Sequence, residues 1–388
     1  DELITEVVIP DQKMTGSHLL GRWENAVSDT RQDSIQVYLE HSDYTHVIMN
    51  TRRTTADFEF QQRQRLSDTQ DLTWGLGYRY NKDNTQSSSL VWLEDGKAAT
   101  SLFSAFAQDD IVLQPERWRL TLGGRLEHNE YTDYQFQPNL RLLWTPEPQT
   151  SVWFSAARAI RMPSRVERNG IVYIPLSQTS VVRLNNGLSR DEKLDALDLG
   201  WRYQFSHNAS LDITAFRYRY DDLRDALIST PPAPQPGGYV YITANNSNAN
   251  AASASGLEAS LDWRPRTDWH VQAAYSLLDT RFKLAPGRQQ SDYADTAPKQ
   301  MFSLHLAHDL NANLHWDAWL RHVARVSEIP AYTTLDLRLA WQPRKNLEVS
   351  LVGQNLLDSA HAEYGSSFIL STPSKVERGA YLRADWTF

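Results

Sequence analysis

Val376-Glu377-Arg378-Gly379-Ala380-Tyr381-Leu382-Arg383-Ala384-Asp385-Trp386-Thr387-Phe388 closes the chain. Side chains along a strand alternate between two faces. Ala380, Leu382, Ala384, Trp386 and Phe388 fall on one face; Tyr381, Arg383, Asp385 and Thr387 fall on the other. One face is therefore apolar and the other polar. Chain ends fray unless something ties them down, and a barrel that closes on its final strand supplies that tie. Alone, the segment fits the last strand of a soluble sheet equally well.

The same alternation recurs along the chain. Leu72, Trp74, Leu76, Tyr78 and Tyr80 oppose Thr73, Gly75, Gly77, Arg79 and Asn81. Leu197, Leu199, Trp201, Tyr203 and Phe205 oppose Asp198, Arg202 and Gln204, and Leu257–Trp263 and Leu335–Trp341 repeat the pattern. Period two, not 3.6, fits each stretch. Leu211–Tyr220 is less regular: the apolar phase passes from Leu211 and Ile213 to Phe216, Tyr218 and Tyr220, as a bulge or an aromatic belt would produce. Connections alternate as well. Short turns, such as Ser67–Gln70, Pro146–Gln149 and Pro343–Lys345, are interleaved with long polar ones, such as Asp43–Arg52, Asp83–Ala98, Arg161–Glu192, Asp221–Ser255 and Leu357–Lys375. Tight turns at one end and long loops at the other mark an outer-membrane barrel. The expected fold is all-β, a transmembrane antiparallel up-and-down β-barrel.

Composition agrees. No run of about 18 apolar residues exists, which excludes a membrane-spanning helix. The mean hydropathy of −0.54 suits barrel strands, which turn only every second residue to lipid. Trp (13) and Tyr (17) are abundant, and both favour the membrane–water boundary. A net charge of −8 gives no basis for nucleic acid binding. The absence of Cys removes disulfide and thiolate chemistry. The opening Asp-Glu-Leu-Ile-Thr-Glu has neither basic leader nor apolar core, so a secretion signal is expected to be absent or already removed.

Alternation gives about 17 strands, an odd number, whereas single-chain bacterial barrels use even numbers. An open edge in hydrocarbon leaves backbone groups unsatisfied. Strands preceding residue 1 are therefore expected, and residues 1–388 read as one barrel domain, incomplete at its N-terminus.

The chain resembles the C-terminal barrel of TonB-dependent outer-membrane receptors. The resemblance is carried by Leu20-Gly21-Arg22-Trp23, Trp74-Gly75-Leu76-Gly77-Tyr78-Arg79-Tyr80, Phe103–Asp109, Leu122–Glu127 and Ala157–Arg165. It continues through Glu192–Tyr203, Gly256-Leu257-Glu258, Val352–Asp358, His361, Glu363-Tyr364 and Arg378–Phe388. It implies a Gram-negative outer-membrane barrel of about 22 strands, with short periplasmic turns and long extracellular loops. It also implies a plug domain and a TonB-contacting segment, neither of which is in this sequence. The implied activity is TonB-energised uptake of a scarce nutrient, most naturally a ferric siderophore, with cobalamin, haem and oligosaccharide left open. A terminal aromatic such as Phe388 is, in that family, the signal read by the outer-membrane assembly machinery. A passive channel and an outer-membrane enzyme are the alternatives.

Ligand contacts are expected from the long loops: Arg161, Arg165, Arg168 and Tyr173 in one, Tyr239 and Tyr241 in another. Guanidinium and aromatic groups suit an anionic or aromatic ferric chelate, and Tyr near strand ends equally suits an interface belt. Arg79, Arg125, Arg202, Glu258, Arg338 and Arg383 are expected on the lumen wall, facing a plug or water. Asn245–Asn250 reads as a flexible polar loop. Gly75/Gly77 and Gly123/Gly124 lack the strand–turn–helix setting of a phosphate loop and are expected to relieve crowding on the inner wall. His305, His308, His315 and His322 alternate between faces, so no metal site, catalytic residue or cofactor is expected.

Overall fold

The computed structural model describes residues 12–46, 48–177, 179–187, 189–229, 232–234, 240–286, 297–364 and 374–388. The wall begins with β1 (Lys13–Ser28), β2 (Arg31–Thr45), β3 (Asn50–Ser67) and β4 (Gln70–Gln86), followed by the short β5 (Val91–Leu93). It continues with β6 (Lys97–Gln114), β7 (Trp118–Asn129), β8 (Asp133–Glu147) and β9 (Thr150–Arg161). The next loop holds helix α1 (Arg165–Asn169), β10 (Gly170–Ser177) and β11 (Ser180–Asn185). Then come β12 (Glu192–Ser206), β13 (Ala209–Ile228), β14 (Ala233–Pro234), β15 (Val240–Trp263), β16 (Trp269–Lys283), β17 (Gln300–Asn311) and β18 (Leu314–Val323). Last are β19 (Tyr332–Arg344), β20 (Leu347–Gln354), β21 (Ala360–His361), β22 (Val376–Glu377) and β23 (Gly379–Trp386).

Leaving out β5, β10, β11, β14, β21 and β22, each of the 17 long strands pairs antiparallel with the next, the meander that the connections imply. Among the described residues β1 has a ladder partner in β2 alone, and β23 in β20 alone. Val376 and Glu377, at the start of the closing stretch, leave the wall to pair with β21.

The wall is apolar on its outside. Only seven apolar residues among those described are buried, four of them alanines. By contrast Leu76, Leu122, Leu199, Leu277, Leu339 and Leu382 are exposed on the same face of strands spread along the wall. A water-soluble domain of this size would hide such a belt; in a bilayer it meets hydrocarbon. Where the belt nears the short turns, indoles gather: Trp118 stacks on Trp144 at 5.5 Å, and Trp269 on His308 at 4.1 Å. That is the girdle expected where chain meets headgroups. The protein is thus an all-β transmembrane barrel wall.

Inward faces are lined by charge and by glycines that accommodate rings. A Cβ on Gly75 would lie 2.5 Å from the Phe60 carbonyl oxygen and 2.6 Å from the Phe106 ring. Crowding therefore explains Gly75. Gly124 is different: it sits beneath Phe136 on the lipid-facing side, in phase with Leu122 and Leu126, not on the inner wall.

One connection is shorter than its sequence suggests. β13 extends to Ile228 and β15 starts at Val240, so most of Asp221–Ser255 is strand. Asn245–Asn250, expected to be a flexible loop, lies within β15 because its amides have fixed partners. Asn185 Nδ2 donates to Asn245 Oδ1 at 3.0 Å, Asn248 Nδ2 donates to the Asp222 carbonyl at 2.7 Å, and Asn250 Oδ1 accepts the Ala285 N–H at 3.2 Å.

Candidate functional site

At the long-loop end three connections knit together. β10 pairs antiparallel with β5 and with β11, and β11 runs parallel to the upper part of β15, from Ser180↔Val240 to Asn185↔Asn245. Val91, Leu93 and Ala244 are buried within this canopy.

The canopy is anchored by α1. Ser164 caps it: the Ser164 Oγ accepts the Glu167 N–H, while the Glu167 carboxylate accepts the Ser164 N–H at 2.6 Å. This reciprocal arrangement is legible as Ser-x-x-Glu. The buried Glu167 carboxylate also receives Arg161 at 3.2 Å and Arg224 at 2.8 Å. Arg161 bonds Glu192 in turn, at 2.7 and 2.9 Å, and Glu192 accepts the Arg224 N–H at 3.0 Å. Burial pushes the Glu167 carboxyl up, but Arg161, the Ser164 N–H and Arg224 together outweigh it and hold the group below its ordinary range. Two guanidiniums and two carboxylates thus form a set of zero net charge.

Each expected ligand residue has a definite place. Arg161 belongs to the set just described. Arg165 is nearly buried, paired with Asp83 and donating to the Asp95 carbonyl. Arg168 donates to the Ser189 carbonyl at 2.9 Å and lies over the Tyr131 ring at 5.9 Å. Tyr173 and Tyr241 face each other across the canopy with ring centroids 6.1 Å apart. Tyr239 lies outside the described residues. The structure therefore brings Tyr173 and Tyr241 together, but directs each of the three guanidiniums to the protein's own acceptors.

Beneath the canopy, a cavity of about 620 Å³ opens on the inner wall between β13, β15 and β16. Phe216, Tyr218 and Tyr220 form one side, Ala252 and Ala254 the floor, and Phe282 the other side. The irregular Leu211–Tyr220 segment is the source of this column. Its register against β12 is unbroken, so no bulge occurs within it; the first shift against β15 comes after Tyr220. The aromatics point inward, because Phe216 pairs with Asp198 and Tyr218 donates to the Asp198 carboxylate at 2.9 Å. Phe216 and Tyr218 stack at 4.9 Å, and Phe216 covers Gly256, where a Cβ would come within 2.5 Å of the ring. The phase slip was the only signal of these residues in the sequence.

Lower on the wall, charges are neutralised locally, either across neighbouring strands or between residues two apart on one strand. Arg79 pairs with Asp57 (2.8 Å), Arg125 with Glu127 (2.7 Å), Arg202 with Asp212 (2.5 Å), and Arg383 with Asp385 (2.8 Å). Arg338 bridges Asp317 at 2.8 Å and Glu348. Glu258 makes no ion pair among the described residues. His305 and His315 face inward, 3.4 Å from Asp317 and 2.6 Å from Asp309, while His308 and His322 face outward.

The family model described as TonB dependent receptor-like, beta-barrel matches residues 13–356. The chain belongs to that family. Its place is accordingly the outer membrane, and the family and its solved neighbours are receptors and transporters. The iron-regulated outer membrane virulence protein of Vibrio cholerae is 23% identical over 286 residues, covering 68% of this chain and 42% of that protein. This chain thus spans well under two thirds of that relative. The ferric enterobactin receptor PfeA of Pseudomonas aeruginosa, solved with enterobactin as a point mutant, superposes with a TM-score of 0.76 at 16% identity, over 96% of this chain and 62% of that one. The FrpB iron transporter of Neisseria meningitidis gives 0.72 at 14% identity, over 97% and 63%.

Proposed function

We propose that this receptor takes up iron as a ferric siderophore, with energy delivered through TonB. The observation that carries the reading is an inward cavity beneath a canopy of interlocked extracellular loops, on a wall whose family is that of TonB-dependent receptors. That its structural neighbours include a ferric enterobactin receptor and an iron transporter supports the choice of cargo. In this reading the wall holds the ligand at its extracellular end and encloses a plug, which belongs to the receptor outside this span and contacts the TonB complex. Lipid surrounds the outward face, and the assembly machinery recognises the exposed Phe388. Deleting the gene in iron-starved cells should abolish uptake of at least one radiolabelled ferric chelate, and a protonophore should abolish the same uptake in wild-type cells. Uptake that persists in the deletion strain for every chelate tested refutes the proposal.

A further inference from the structure

We infer that the cavity between β13, β15 and β16 seats an aromatic ring of the ligand, so that the cargo is an aryl-bearing ferric chelate; the inference rests on the uptake reading above. The cavity lies at the right level. On the outer side of the same strands the apolar belt ends at Ala215 and Leu257, and charges follow: Arg158 pairs with Asp195 at 2.7 Å, and Arg219 with Asp221 at 2.8 Å. The inward residues from Phe216 to Leu223 thus stand at and above the extracellular boundary. At about 620 Å³ the space falls within the range of small-molecule sites.

The lining chooses the chemistry. Phe216 and Tyr218 are already stacked, and the Tyr218 hydroxyl is tied to Asp198, which itself accepts from Ser155 Oγ at 2.8 Å. These rings are held in place before any ligand arrives, which lowers the ordering cost of binding. Ala252 and Ala254 leave depth beside them for a flat group, and Phe282 closes the opposite side. Ring faces attract other rings in offset or edge geometry.

Charge does not offer an equivalent hold. Arg161 and Arg224 at the cavity's edge are balanced by Glu167 and Glu192. Lys299 is the one lining cation with no ion pair among the described residues, and it stands exposed at the mouth. A carboxylate-rich aliphatic chelate would find a single ammonium there, and no guanidinium free of a carboxylate.

The test uses the receptor expressed from its native gene and purified from outer membranes, with binding followed by quenching of protein fluorescence. The probes are the ferric complexes of 2,3-dihydroxybenzoate, citrate and desferrioxamine B. The aryl complex should bind at least tenfold tighter than the two aliphatic ones. Ala254→Phe, which fills the cavity, and Phe282→Ala, which removes one wall, should each weaken the aryl complex at least tenfold. Ser260→Asn, on the inner wall outside the cavity, should change it less than threefold. Two independent variants, each checked for native circular dichroism, guard against a misfolded protein. If the aliphatic complexes bind as tightly as the aryl one, or both cavity variants stay within twofold of wild type, the ring assignment falls while the uptake reading stands. If none of the three complexes binds, the ring assignment falls, and the uptake reading is decided by the deletion strain alone.

Discussion

Replacing Glu167 by Gln should loosen the extracellular canopy without disturbing the wall. The Glu167 side chain is 9% exposed and meets three donors: Arg161, Arg224 and the Ser164 N–H. Gln keeps an oxygen for the Ser164 N–H, so the cap on α1 survives. What is lost is the charge, and the new amide turns donors toward two guanidiniums. Breaking a buried ion pair by removing one partner costs about 3–5 kcal/mol. Here Arg161 is half exposed and keeps Glu192, and Arg224 is about one-third exposed, so screening reduces the figure to about 2 kcal/mol. That corresponds to a roughly 30-fold increase in local opening. The readout is native-state hydrogen exchange followed by mass spectrometry. Peptides covering α1 and β10 should lose roughly 10- to 30-fold in protection at pH 7, and those covering β12 should not change. The sign of the pH effect follows from the lowered carboxyl. Its contribution is complete above the unfolded value near about 4.3 and is lost as pH falls through the folded one. The gap between variant and wild type should therefore close in acid. Protection of α1 within twofold of wild type at pH 7 would refute the reasoning.

Asp191 gives the opposite sign. It is buried with no ion pair among the described residues, and burial raises its carboxyl above the ordinary range, so the folded loop gains stability as pH falls through that value. Asp191→Asn should leave α1 at least as protected as wild type at pH 7, with the difference vanishing near pH 4; a large loss of protection at pH 7 would count against the account. Gly75→Ala should cost about 1–3 kcal/mol, because its Cβ meets the Phe60 carbonyl as well as the Phe106 ring; an unchanged urea midpoint for refolded barrel would show the wall relaxing instead. Leu199→Arg, in the outward belt, should cost about 2–4 kcal/mol and reduce the folded fraction in lipid vesicles, whereas Ser260→Asn on the inner wall should not. Equal folding yields for the two would contradict the assignment of faces.

The wall was legible because one physical rule wrote it. Lipid outside and polar groups inside force period two on Leu197–Phe205 and Leu335–Trp341, and the register keeps that phase across the strands. The upper part was harder to read. Above the bilayer the outward face has no reason to be apolar, so Arg217 and Arg219 point out while Phe216, Tyr218 and Tyr220 point in, and the pattern inverts without a bulge. Asn245–Asn250 has poor strand propensity; its ordering comes from Asn185, Asp222 and Ala285, which no local window contains. The guanidiniums looked available because Asp83 and Glu192 lie far from Arg165 and Arg161 in sequence; the Ser164–Glu167 box is local, but its pattern says nothing of which arginines Glu167 receives.

The parallel ladder between β11 and β15 sets an order of events. Wall strands zip through hairpins, each needing only its neighbour. Ser180↔Val240 joins residues 60 apart, and between them the chain must first complete β12 and β13 as a hairpin. Closure of so long a segment is entropically slow and gains nothing until both ends are in place. The canopy is therefore expected to be the last region to acquire its shape, so that a chain with a correctly inserted wall can still go wrong there.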